Sequence, residues 1–140
     1  MSIVRTIACV LALLAATGCT VVGDDLYESF DADPPRVVAS EPADGAAGVP
    51  VGITCRVWFN EPVEPATVDG DAVVLVSGEH VHLCRLRVDQ EPDGRGRLEV
   101  EPLDPLIPAV AYHLRLGEQI TDRVGNPLAG PVDITFRTAE

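Results

Sequence analysis

From Arg36 onward the chain carries its apolar residues only in short runs, each cut off by Gly, Pro, Asp or Asn. Twelve glycines and twelve prolines are scattered through 140 residues, and each is a point where a helix would break or a chain would turn. Within the runs the apolar residues alternate. Ile53, Cys55, Val57 and Phe59 share one parity, while Thr54, Arg56 and Trp58 share the other. A period of two fits a half-buried strand and not an amphipathic helix. The same alternation recurs over His80 to Val88, with Cys84, Leu86 and Val88 on one face and Arg85 and Arg87 on the other. It returns over Arg97 to Val100, Tyr112 to Leu116 and Val132 to Phe136. Val37–Ser40, Ala72–Ser77 and a short edge piece at Val49–Val51 complete the candidates. About seven strands separated by frequent turns predict an all-β, two-sheet β-sandwich. The predicted core face of the first clear strand is Ile53, Cys55, Val57 and Phe59, with Cys84, Leu86 and Val88, Leu98 and Val100, and Leu114 inward on later strands, and Val132, Ile134 and Phe136 sharing one parity on the last.

The first residues have a different grammar. Arg5 supplies a positive charge, Ile7 to Ala16 is a short apolar run, and Ala15-Ala16-Thr17-Gly18-Cys19 leads small residues into a cysteine. This is the layout of a secretory signal peptide. Its end resembles a bacterial lipobox, in which Cys19 is lipidated and becomes the first mature residue. The run is shorter than the roughly 20 apolar residues a spanning helix needs. An ordinary signal peptide that happens to contain a cysteine is the alternative. Between Thr20 and Pro35, Asp24, Asp25, Glu28, Asp31 and Asp33 crowd a segment with little to bury, closed by Pro34-Pro35; it reads as a disordered, solvated acidic tether. The expected organisation is a signal peptide over 1–18, a lipid-anchored linker over 19–35 and a β-sandwich domain over 36–140.

A formal net charge of −12 argues against nucleic acid as a partner, because an acidic surface repels phosphate backbones. All ten basic residues are arginine, a pattern of GC-rich coding.

Three pieces of sequence, in order, point to a family. Ser40-Glu41-Pro42-Ala43-Asp44-Gly45-Ala46-Ala47-Gly48-Val49-Pro50 opens the domain, Phe59-Asn60-Glu61-Pro62-Val63 ends its clearest strand, and Asp122-Arg123-Val124-Gly125-Asn126-Pro127-Leu128 precedes a last strand ending in Phe136-Arg137-Thr138. Together they resemble the bacterial Ig-like domain of the S-layer (SbsA) type over residues 36–138. The resemblance implies an Ig-like sandwich used as a spacer, display or adhesion module at a cell surface, and it brings no catalytic motif. The late turn also has a basis in its own residues. Gly125 suits a positive φ, Asn126 tolerates the left-handed region, and Asp122 can accept backbone N–H groups.

Several side chains are candidates for chemistry. Cys55 and Cys84, both on inward parity, are a possible disulfide in an oxidising compartment, worth about 3–4 kcal/mol; two buried thiols are the plain alternative. His80 and His82 lie two apart on one strand face beside Glu79, a possible pair of zinc or copper ligands if a third comes from elsewhere, such as His113. The plain reading is two imidazoles facing water, and no metal or other cofactor is called for. Trp58, on outward parity, is a possible contact for a partner protein or a glycan, with packing against a covering loop as the alternative. Tyr112 resembles a tyrosine corner. Asp69 and Asp71 flank Gly70 and read as a turn. No G-x-S-x-G, H-E-x-x-H or phosphate-cradling loop occurs, so no enzyme activity is expected.

The sequence thus reads as an exported, non-catalytic lipoprotein held to the membrane through Cys19, in the outer membrane if the cell has two. Its domain is expected to contact an unidentified protein or envelope polymer. A carbohydrate-binding module and a small metal-handling lipoprotein using His80 and His82 are the alternatives.

Overall fold

The structure is a computed structural model that describes residues 33–140. The signal-peptide segment, Cys19 and the acidic linker as far as Ala32 lie outside the described residues.

Among the described residues nine strands form two sheets, with one short 3-10 turn at Pro65–Thr67. In chain order they are β1 (Val37–Glu41), β2 (Ala46–Val49), β3 (Cys55–Phe59), β4 (Val73–Ser77), β5 (His80–His82), β6 (Cys84–Gln90), β7 (Gly96–Pro102), β8 (Ala111–Leu116) and β9 (Val132–Thr138). One sheet has the order β2-β9-β8-β4-β5 and the other β1-β3-β7-β6. All ladders are antiparallel except β2 against β9, which is parallel. The all-β sandwich is as expected from the alternation, but with nine strands instead of about seven.

Two local events account for the difference. Ala46–Val49, expected to begin only at Val49, pairs early with Phe136 and Thr138 of the last strand. And the single run expected from His80 to Val88 is broken at Leu83. His80–His82 pairs with β4 in the five-stranded sheet, whereas Cys84–Gln90 pairs with β7 in the four-stranded one. Leu83 is 74% exposed at the crossing.

The core lies where the inward parities of the two sheets meet. Val57, Phe59, Leu98 and Val100 come from one side and Leu75, Tyr112, Leu114, Leu116, Ile134 and Phe136 from the other. Burying a side chain such as Phe59 or Leu98 fully is worth roughly 1.5–3 kcal/mol. Loop residues Leu106, Ile120 and Leu128 complete the packing. Tyr112 stacks on Phe136 with ring centroids 5.6 Å apart. Its hydroxyl accepts a hydrogen bond from the Ile107 N–H at 2.8 Å, so the one polar atom of a fully buried ring is satisfied and the preceding crossover is pinned to the sheet.

Gly96 explains part of the Phe59–Val63 motif. It faces Phe59 across the β3–β7 ladder, and a Cβ there would lie 2.7 Å from the Glu61 carbonyl oxygen. Only glycine lets the Asn60–Val63 backbone pass this close.

Candidate functional site

The outer face of the four-stranded sheet carries the largest organised array of polar side chains among the described residues. Register builds it. Glu41, Arg56, Glu99 and Arg87 stand in one cross-strand row, and Ala39, Trp58, Arg97 and Asp89 in the next. The first row alternates in sign, so each arginine has a carboxylate neighbour, the favourable arrangement for cross-strand pairs. Arg56 reaches Glu41 at 3.1 Å and Glu99 at 3.4 Å. Arg97 reaches Glu91 at 2.7 Å and Asp89 at 3.0 Å, and Arg87 also reaches Asp89 at 2.9 Å. Arg95 bonds Asp93 at 2.9 Å in the hairpin turn, and Arg85 bonds Glu101 at 2.8 Å. Single exposed pairs contribute little, but linked pairs hold one another's side chains in place.

Trp58 is outward, as its parity predicts, and half-buried. Its cross-strand neighbours are Arg97 on one side and the small Ala39 on the other. The open concavity beside it, about 540 Å³, is lined by Ala39, Glu41, Arg56, Glu91, Arg95 and Arg97.

The histidines fall elsewhere. His80 and His82 contact each other edge to face with ring centroids 4.5 Å apart. His82 also packs on Tyr112 at 5.1 Å, and its Nε2 lies 3.0 Å from the Ser77 hydroxyl. Burial, and then the neighbouring His80, holds the His82 pKa below its ordinary 6.5. The suggested third ligand does not join them. His113 follows the buried Tyr112 on β8 and so points to the other face of the sheet, where its Nδ1 lies 3.0 Å from Asp133. No group of three or more His, Cys, Asp or Glu side chains converges on a metal position among the described residues.

The disulfide is a correction. Cys55 and Cys84 both have inward parity, but both thiols are free. Cys55 lies on β3 and Cys84 on β6, with β7 between them. Two strand spacings come to about 9.5 Å, beyond the roughly 7 Å that a disulfide tolerates between Cα atoms. Burial, then the proximity of Cys84, pushes the Cys55 thiol up to about 12, and burial pushes Cys84 to about 11. Both are therefore protonated and weakly nucleophilic at neutral pH.

The late turn closes as its residues predict. Asp122 is 2% exposed. Its Oδ1 accepts from the N–H groups of Val124 at 3.0 Å and Asn126 at 2.9 Å, and its Oδ2 accepts from Asn126 Nδ2 at 2.9 Å. Gly125 holds φ at +95°. Burial alone raises the Asp122 pKa, but the donors from Asn126, Val124 and Gly125 outweigh it and hold the carboxyl below its ordinary 3.8. This is a structural carboxylate, spent on closing the turn.

Residues 31–138 match the sequence profile of the bacterial Ig-like domain family. The chain belongs to that family. No curated protein matches it in sequence. Solved structures share the fold. The S-layer protein SbsC superposes with a TM-score of 0.55 at 18% identity, over 84% of this chain and 15% of that one. CopC from Methylosinus trichosporium OB3b gives 0.53 at 11%, over 75% and 93%. PcoC, a methionine-rich copper resistance protein from Escherichia coli, gives 0.54 at 18%, over 76% and 99%. The chain thus spans about 15% of the S-layer protein and nearly all of the two copper proteins.

Within this Ig-like domain, sequence reasoning isolated Trp58 but missed its surroundings. Arg56 was visible as an outward residue. Arg97, Glu91, Arg95 and Glu41 were not tied to it, because their placement depends on β7 lying beside β3 and on the register of that ladder. A like parity on neighbouring hairpin strands was the only available signal. Ser77 beside His82 was missed for the same reason.

Proposed function

We propose that the chain is a non-catalytic envelope lipoprotein whose Ig-like domain serves as a surface interaction, adhesion or display module. Export and anchoring through Cys19 rest on the signal-like segment and its small-residue run into cysteine. The observation that supports contact over turnover is the Trp58 face. It is an ordered, shallow array with its charges already paired, whereas an active site is expected to hold a deep cleft with convergent groups of perturbed pKa. The partner is an envelope protein or polymer.

The test is retrieval of envelope components by the tagged protein, compared with Trp58→Ala. Loss of the retrieved component in the variant supports the reading; an unchanged set removes Trp58 from it. Feeding cells a fatty-acid analogue tests the anchor. The wild type is expected to be labelled and Cys19→Ser unlabelled, and equal labelling would end the lipidation claim.

The contact between His80 and His82 favours a second reading, a small metal-handling lipoprotein, on a fold that CopC and PcoC also use. Two imidazoles bind copper or zinc weakly unless further ligands join them. Copper and zinc contents near zero after chelator-free purification would count against it.

A further inference from the structure

We propose that the concavity at Trp58 is a saccharide-binding site that takes an uncharged pyranose ring of an envelope glycan. This deepens the contact reading above and rests on it. The first observation is the ring itself. Trp58 is the chain's one tryptophan, and it lies outside the core, half-buried on a sheet face. Its cross-strand neighbour Ala39 has no side chain long enough to cover it. The C–H face of a pyranose is flat and apolar and packs on such a ring, while its hydroxyls radiate from the edge. An indole serves well here because it presents a large apolar body without many rotamers to freeze.

The second observation is what surrounds the ring. Arg56, Arg97 and Arg95 on one hand, and Glu41 and Glu91 on the other, line the same concavity. Guanidinium and carboxylate are planar groups that donate or accept two bonds at once, which matches vicinal hydroxyls. Their mutual ion pairs hold them in place before any ligand arrives, so binding does not have to order them.

The third observation is charge, and it selects among ligands. Five of the chain's ten arginines stand on this face, at 56, 85, 87, 95 and 97, and each pairs with a carboxylate. The face is near neutral on a chain with a formal net charge of −12. An anionic polymer would meet paired guanidinium groups and a repulsive whole-protein field. An uncharged polyol meets donors and acceptors at no such cost.

Because Trp58 is the only indole, fluorescence excited at the red edge, where the two tyrosines do not absorb, reads this site alone. The purified protein is titrated with a β-1,4-linked N-acetylglucosamine tetramer and with an α-1,4-linked glucose tetramer. The expected result is a saturable emission change with at least one of them, insensitive to added salt. Binding followed by NMR shifts is expected to weaken at least about tenfold in Trp58→Ala and to persist in Trp58→Tyr, with both variants as well folded as the wild type. No saturable change with either tetramer overturns the saccharide site. Binding that disappears in salt, or that survives Trp58→Ala, overturns it as well. If both tetramers fail while envelope retrieval still depends on Trp58, the contact reading stands and only the saccharide falls.

Discussion

The turn at Asp122 and the sheet face around Trp58 both concentrate polar side chains, yet one is sealed and the other open. At the turn, a single carboxylate out of reach of water accepts three hydrogen bonds from residues within four positions of it. On the face, arginines and carboxylates from four strands pair at distances of 2.7 to 3.4 Å, exposed to water at Arg56, Glu41 and Arg87 and part-buried around Arg97. The same chemistry does two jobs because the surroundings differ. Where water is excluded, each missing partner is costly, so the group is committed to folding. Where water can replace a partner, the group is nearly neutral in stability and free to meet a ligand.

Substitutions can break this contrast. Asp122→Ala should be the most damaging, because it strands the Val124 and Asn126 N–H groups and the Asn126 amide. A loss of about 2–4 kcal/mol is expected from the urea unfolding midpoint. A loss below about 1 kcal/mol would show that water or a rearranged turn takes over. Acid should reproduce part of the same loss. The folded Asp122 carboxyl lies below its ordinary 3.8, so its stabilisation is complete above that value and drains away as the pH falls through the lowered one. Unfolding midpoints followed downward from about pH 5 should fall more steeply for the wild type than for Asp122→Asn; parallel curves would contradict the assignment. Tyr112→Phe comes next, at about 1 kcal/mol, since it removes one buried bond to the Ile107 N–H. On the open face, Arg97→Met should cost about 1 kcal/mol or less and should matter less in high salt. Trp58→Ala should change stability by about 0.5 kcal/mol or less while still altering what the protein binds. If Trp58→Ala proves as destabilising as Asp122→Ala, the face is a structural element and the contrast fails.

The sealed region was more legible in the sequence than the open one, for a physical reason. Asp122, Gly125 and Asn126 satisfy one another within five consecutive residues, so local chemistry suffices to see the turn. The inward parity of Cys55, Val57 and Phe59 and of Leu98 and Val100 was legible too, because burial on one side enforces a strict period. What could not be read was anything that depends on which strand lies beside which. The one mark of the crossing is a slip of phase, with Val81 and Leu83 apolar on one parity and Cys84, Leu86 and Val88 on the other, and a reading of His80 to Val88 as a single run passes over it. Cys55 and Cys84 share a parity, which suggested a bridge, but β7 separates their strands. Trp58 and its strand neighbour Arg56 were recognisable alone, whereas Glu41, Glu91, Arg95 and Arg97 come from other segments brought beside them by pairing.

The parallel ladder between β2 and β9 has a mechanical consequence. Gly45 N–H donates to the Thr135 carbonyl and Ala139 N–H to the Val49 carbonyl, tying an early strand to the last one side by side and in the same direction. Pulling the two ends of the domain apart therefore loads these bonds together in shear, where they must fail as a group, instead of peeling them open one by one. A domain wired in this way resists a load applied between its two chain ends.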